Sequence, residues 1–588
     1  FDTATPPRPV AVKIAVPGGK APFNNVLAIA APMATMVPAT DSAGSLAWIW
    51  AAAETKAVTD KPAAADNPKI VLERRFSLPR VPVAARVRMA ATAPCDVIVN
   101  GTSAKSLTDP KQPLAFEIST KHLVAGDNTI RIEAKPSGKS DAVVLSVLLA
   151  EADGTRRRLG TDGSWQVVPR PDAPPRPAVV VEPYGKGPRG DLLASLKPSV
   201  SPASEITVPE GFKVELLHGL DDHEGSWVAM CVDPKGRLIA SDAGGGLVRI
   251  TPPPIGGDPA AAKIEPIRLD IGHANGLLWA FDSLYVMVCE EGVHVHGSGV
   301  YRVRDTNGDD VLDSVEFLRK VAGGGDHGPH ALILSPDGKS ITAVCGNSTR
   351  MTEIQHHQVP PVWKDDLALP KLVGHGFMLG AGGPAGYIAR FTPDGKDWTL
   401  AAAGFRNQYD AAYNRAGELF TYDADMEWDL GMPWYRPTRV NHVVDGTEAG
   451  WRSVSGKWPE YYADSLPPVI NVGRGSPTGV AFGYGAKFPA KWQEALYVAD
   501  WTYGKLYAIH LQESGASYKA TMDVFLEGRS VKPTDIAVSP TDGAMYFCGG
   551  SRRSNSGLYR VTYVGTESTA AAPPKGDAAA AALRALRH

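Results

Sequence analysis

The chain has 588 residues, more than one hydrophobic core holds, and two or more domains are expected. A formal net charge of −3 with 21% charged residues offers no basic surface for nucleic acid. No apolar run reaches the roughly 18 to 20 residues that cross a bilayer, so no transmembrane segment is expected.

Residues 1–44 form an N-terminal extension rich in Ala and Pro. It opens on Phe1 rather than Met, and a secretory signal upstream is expected. From 45 to 170 the pattern is all-β: IVLERRFSLP alternates, and CDVIVNG ends in an Asn-Gly turn. The pieces RRFSLP, VIVNG at 97–101, HLVAGDNTIRIEA and the closing DGSW at 162–165 resemble galactose-binding-like modules. The resemblance implies a jelly-roll β-sandwich that either binds sugar or packs on a partner domain. Residues 171–207 are a Pro-rich linker.

From 208 to 566 a unit repeats. One half is a turn and a strand, as in DPKGRLIAS, SPDGKSITAV and NRAGELFTY; the other is Gly and an apolar strand, as in GLVRI, GVYRV and GLYRV. Six units lie near 211–251, 263–304, 315–391, 398–444, 469–510 and 523–563. Such units bury both faces only when stacked, and radial closure removes their edges, so the expected fold is a six-bladed β-propeller. Residues 567–588 read as a linker and the start of a helix. The five cysteines, Cys95, Cys231, Cys289, Cys345 and Cys548, form no C-x-x-C pair and no C-x-x-C-H haem site. Each lies in or beside an apolar strand, so buried free thiols are expected and no covalent haem in this chain.

In a propeller the loops entering each innermost strand converge at one end of the axis. Here they are EGSW (224–227), GHANG (272–276), GGGDHGPHA (323–331), GFRNQYD (404–410), GRGSPTG (473–479) and VKPTD (531–535). They bring together His273, His327, His330, Arg406, Asn407, Arg474 and Lys532. Cations beside imidazole suit a carboxylate-rich ligand with a base ready to accept a proton. Alternatively, some cations pair with Asp410 or Asp535 of the same loops.

Two acidic features stand apart. In YDADMEWD, Asp423, Asp425 and Glu427 share one face of a strand with Asp429, which calls for a hard cation or for Arg436 and Arg439 as a clamp. In RDTNGDDVLD, Asp305, Asn307, Asp309 and Asp313 follow calcium-loop spacing, with Asp310 where Gly is usual. Bound Ca²⁺ and a solvated acidic hairpin are the two readings. His294, His296 and the pair His356–His357 lack a third ligand and read as surface or packing residues.

DHGPHALILSPDG (326–338), GFRNQYDAAYNRAGELFTYDAD and SPTGVAFGYGAKFPAKWQEALYVADW resemble segments of the soluble quinoprotein glucose, aldose-sugar and sorbosone dehydrogenases. WYRPTRVNHVVDGTEAGWR, DWTYGKLYAIHL and SGLYRVTY are similar to the dehydrogenase-like propellers of PVC-type haem-binding proteins. The resemblance implies that His327 is the base taking the sugar hydroxyl proton, and that Arg406 and Asn407 contact pyrroloquinoline quinone (PQQ) beside Ca²⁺. Arg474 and Lys532 join them on grounds of charge. It further implies a periplasmic or secreted protein, a sugar-derived substrate and a cytochrome c as electron acceptor. One departure is plain: the loop reads His327-Gly-Pro-His330-Ala where the quinoprotein pattern is His-x-Gly-Gly-Arg. Two other readings belong beside the dehydrogenase. One is a Ca²⁺-dependent hydrolase or lactonase with metal on Asp423, Asp425 and Glu427 and with His327 or His330 as the catalytic imidazole that activates water; the other is a non-catalytic carbohydrate-binding or assembly module.

Overall fold

The computed structural model describes residues 46–51, 69–82, 84–110, 112–137, 141–151, 156–168, 174–196, 200–220, 225–242, 245–290, 296–361, 383–424, 436–452, 456–461, 466–550, 557–573 and 576–586. Nearly all of the regular structure is antiparallel β. The N-terminal part is two six-stranded sheets around one core that includes Leu72, Phe76, Met89, Ile132, Leu145 and Trp165. Strand Gly126–Ala134 shows why: Asn128, Ile130, Ile132 and Ala134 are buried and their neighbours are not, so period-two alternation gives the sheet one wet and one dry face.

After it, among the described residues, come six sheets of four or more strands, each built outward from a short first strand, and a two-stranded ribbon of Trp451–Arg452 with Gly456–Lys457. These first strands are Trp227–Val232, Ala274–Ala280, Pro329–Leu334, Ala411–Tyr413, Pro477–Phe482 and Pro533–Val538. They touch one another in chain order, and the sixth returns to the first, which closes a ring consistent with a β-propeller. The second strands, such as Ser283–Val288 and Leu496–Asp500, are buried throughout. Covered on both faces by neighbouring sheets, they read as unbroken apolar runs. Close approach of the first strands demands small residues. A Cβ on Gly276 would stand 2.3 Å from the His330 carbonyl oxygen, and one on Gly479 would stand 2.7 Å from the Asp535 Cα.

The structure corrects the phase of the sequence repeat. Strand Phe212–Gly219, grouped by sequence with residues up to 251, instead pairs with Gly557–Tyr563 as the outer strand of the sixth sheet. There, Phe212 meets the rings of Phe488, Phe525 and Tyr563 edge-on at 4.9–5.0 Å. Across the same pair Glu215 Oε2 accepts from Arg560 Nε at 2.9 Å, both side chains buried. All five cysteines are free, and four are buried. The C-terminal helix Ala578–Ala585, capped by Asp577, inserts Arg584 between Glu513 and Glu418. The sandwich meets the ring where Arg86 Nη2 reaches Asp242 Oδ1 at 2.9 Å.

Glu215→Ala leaves the buried Arg560 guanidinium without its carboxylate, and a loss of about 3–5 kcal/mol is expected. Denaturant unfolding of the whole chain checks it; a loss under about 1 kcal/mol would show that closure does not depend on this pair.

Candidate functional site

Three second strands end in aspartate at the same end of the ring: Leu238–Asp242, Leu419–Asp423 and Leu496–Asp500. Each carboxylate accepts backbone N–H groups from the loop that enters the first strand of its own sheet. Asp242 takes Gly225 N at 2.7 Å, Asp423 takes Asn407 N at 2.8 Å and Arg406 N at 3.2 Å, and Asp500 takes Ser476 N at 3.1 Å. These charge-assisted bonds fix the loops that form the mouth of the ring.

The loops of the third and fourth sheets are knitted together. Asn347 N donates to the Arg406 carbonyl at 3.0 Å, Ser348 N to that of His327 at 2.9 Å, and Asn407 Nδ2 to that of Asp326 at 2.9 Å. His327 closes the one-turn helix Gly325–His327 and is 9% exposed. Its Nδ1–H donates to Asn347 Oδ1 at 2.6 Å, an acceptor that cannot donate, so the lone pair is on Nε2. Burial, joined by the Arg406 guanidinium, pushes the imidazolium down to about 3. His327 is therefore a neutral base throughout the physiological range. Arg406 is itself buried at 3% exposure.

His330 has a different place. Thr478 Oγ1 donates to Pro533 O and Thr534 Oγ1 to Trp227 O, each linking one first strand to the next. His330 occupies the matching position in the third sheet, and its Nδ1–H donates to Gln408 O at 3.0 Å. The imidazole thus makes the inter-sheet link that threonine makes elsewhere. It is fully buried, and burial pushes it down to about 4. Its ring lies 4.7 Å from that of Tyr409, whose hydroxyl crosses from the fourth sheet to the first and donates to Val228 O at 2.8 Å. Together the two rings floor the mouth. Beneath them an axial channel of about 340 Å³ runs between the first strands, with Asp410 and Asp535 on its wall.

Of the other predicted residues, Arg474 and Lys532 stand on mouth loops of the fifth and sixth sheets. Arg474 is exposed, and Lys532 Nζ donates to Thr502 O at 2.8 Å over the Trp501 ring. His273 is half-buried with a left-handed backbone (φ 51°) that lets its N–H reach Gly245 O and its carbonyl accept Cys289 N. Asp410 and Asp535 make no ion pair with these cations among the described residues.

Asp425, Glu427, Asp429 and His294 lie outside the described residues. Asp423 faces Arg439 across the ladder, besides holding the Arg406 loop. In the 305–313 loop, Asp305 accepts the N–H groups of Asn307, Gly308 and Asp310, Asp309 that of Val311, and Asp313 that of Thr306. Asp310, where calcium loops carry Gly, takes the left-handed conformation (φ 70°) and is gripped by Arg237 at 2.7 Å. Among the described residues no group of three or more His, Cys, Asp or Glu is arranged to hold a metal. Sequence reading missed Asn347 and Tyr409, whose roles rest on contacts between separate sheets.

His327 should stay neutral, protonated on Nδ1, from pH 5 to pH 9. Nitrogen-15 imidazole NMR with Asn347→Ala as control checks this; a His327 titration near pH 6.5 in the wild type would contradict the burial argument.

No protein-family model matches the sequence, and no curated protein matches it. Among solved structures, the PQQ-bound aldose sugar dehydrogenase of Streptomyces coelicolor is 17% identical, over 60% of this chain and 99% of that one, with a TM-score of 0.40. The soluble aldose sugar dehydrogenase of Escherichia coli in its apo form is 16% identical, over 60% and 99%, at 0.42. The PQQ domain of the Coprinopsis cinerea pyranose dehydrogenase in holo form is 13% identical, over 61% and 97%, at 0.41.

Proposed function

We propose that the ring is a six-bladed β-propeller behind a jelly-roll sandwich, and that its mouth oxidises a hydroxyl of a sugar or sugar-derived alcohol with PQQ as the electron sink. The observation that carries this reading is the buried, neutral His327, with its proton fixed on Nδ1 by Asn347 and Arg406 beside it. A base held in one tautomer at a loop mouth is positioned to take a hydroxyl proton, and its depressed basicity ties that transfer to departure of the hydride from the same substrate.

The donor set fits the quinone in charge. Arg474 and Lys532 supply accessible cations for its carboxylates, and Asn407, whose buried Oδ1 has no partner among the described residues, stands beside Arg406. When bound, the quinone would accept the hydride from the carbon that bears the hydroxyl. His327 Nε2 would take the hydroxyl proton, leaving a carbonyl or lactone product. Arg406, already close enough to depress the imidazolium, would favour the alkoxide that forms as the proton leaves. Asn347 acts through His327 as a positioning residue. The 305–313 carboxylates already hold their own loop N–H groups and Asp310 is held by Arg237, so that loop does not fit Ca²⁺ beside the quinone; a periplasmic or secreted cytochrome c would receive the electrons.

The test is titration of the chain with PQQ and Ca²⁺, followed by absorbance, then turnover of aldoses with an artificial acceptor. Stoichiometric binding is expected, weakened at least tenfold in Arg474→Ala. In His327→Ala binding should persist while turnover falls by about 10²–10⁴-fold. Absence of quinone binding, or unchanged turnover in His327→Ala, would sink the reading.

A further inference from the structure

The register of the first strands defines a layer one residue below the floor of the mouth. Asp535 Oδ2 accepts Met230 N at 2.6 Å, and Asp410 Oδ2 accepts Val480 N at 2.7 Å, so the two aspartates hold equivalent places two sheets apart. The same layer holds Ala229, Gly276, Ala331 and Gly479 in the other four sheets. Four positions without bulk leave room at the axis for two carboxyl groups.

Among the described residues nothing in that space neutralises them. The channel wall contains no Lys, Arg or His. The titratable neighbours are the Tyr409 phenol and the Cys231, Cys289 and Cys548 thiols, all raised by burial and hence neutral; His330, packed on Tyr409, is neutral as well. Each carboxyl oxygen already accepts one backbone N–H: Ala411 and Val480 on Asp410, Ile536 and Met230 on Asp535. Those bonds stabilise one negative charge, but two charges that interact across one low-dielectric channel cannot both persist.

We infer that Asp410 and Asp535 act as one proton-holding pair at the axis, sharing a single proton at neutral pH and making the ring less stable as the medium turns alkaline. Burial pushes Asp410 up to about 7, and burial together with the charge of Asp410 raises Asp535 well above the usual carboxylate range. The pair titrates as a unit, so neither carboxyl alone owns the proton. The folded chain keeps a proton that unfolded aspartates release near pH 4. Stability from the pair is complete below that pH and is lost as pH rises through the folded value. Asp410 adjoins Tyr409 and lies three residues from Asn407, so ionisation strains the strand that carries the floor of the mouth. The inference holds whether or not a quinone binds above it.

Infrared spectroscopy of the full chain without cofactor tests it, with thermal unfolding from pH 5 to pH 9. A protonated-carboxyl band is expected at pH 7, fading at higher pH, and absent or reduced in Asp410→Asn/Asp535→Asn. The melting temperature of the wild type should fall relative to the double variant as pH rises. If the double variant does not fold, the pH titration of the wild-type band decides alone. No protonated band at pH 7, a pH-independent difference in melting temperature, or a chelator-sensitive stabilisation by added Ca²⁺ at neutral pH would overturn it. The last result would mean two ionised carboxylates bridged by a cation.

Discussion

Strand Phe212–Gly219 lies against Gly557–Tyr563, and the Glu215–Arg560 pair within it joins residues 345 apart in sequence. Every other sheet of the ring takes its four main strands from one stretch of chain, with Thr447–Glu448 of the fourth stretch added at the edge of the third sheet, so the chain could stack five of them largely by local steps. This pairing completes the sixth sheet, whose first strand, Pro533–Val538, lies against Trp227–Val232 and is bonded to it through Thr534 and Asp535. Loop closure over such a span is costly in entropy, and a ladder of backbone bonds, a four-sided aromatic nest for Phe212 and a buried ion pair offset it. Once the ring closes, geometry rather than sequence proximity decides which side chains meet.

The mouth follows from that closure. Parallel first strands place six loops at one end, and the strand-terminal aspartates 242, 423 and 500 tie loops there to their own sheets. Asp242 is held in addition by Arg86, so the sandwich bears directly on one wall of the mouth. Tyr409, spanning the axis to Val228, divides the mouth from the channel beneath. The two compartments carry opposite chemistry: cations and a neutral imidazole above, paired carboxyl groups below.

Much of this was legible in the sequence. Turn-and-strand repeats pointed to a run of antiparallel sheets of the β-propeller kind, which is what the chain forms. The phase of the repeat was not legible, because FKVELLHG reads like any outer strand until its partner is known. His330 looked like a second catalytic imidazole; its equivalence to Thr478 and Thr534 appears only when GPHA, SPTG and KPTD are superposed through the bulged first strands. Asp410 and Asp535 share loops with the cations in the sequence, yet a one-residue change of layer in a strand turns a side chain to another compartment. The spacing in 305–313 suits calcium, and the same spacing also lets Asp and Asn bond their own loop N–H groups, which is what these side chains do.

The central claim is that the ligand occupies the mouth above Tyr409 and is served by His327. A crystal structure of the chain with PQQ and Ca²⁺ tests it most directly. The quinone is expected above the Tyr409 ring, with Arg474 or Lys532 on its carboxylates and His327 Nε2 left open to the substrate. Quinone in the axial channel beside Asp410 and Asp535, or a mouth that stays empty at saturating quinone, would contradict it.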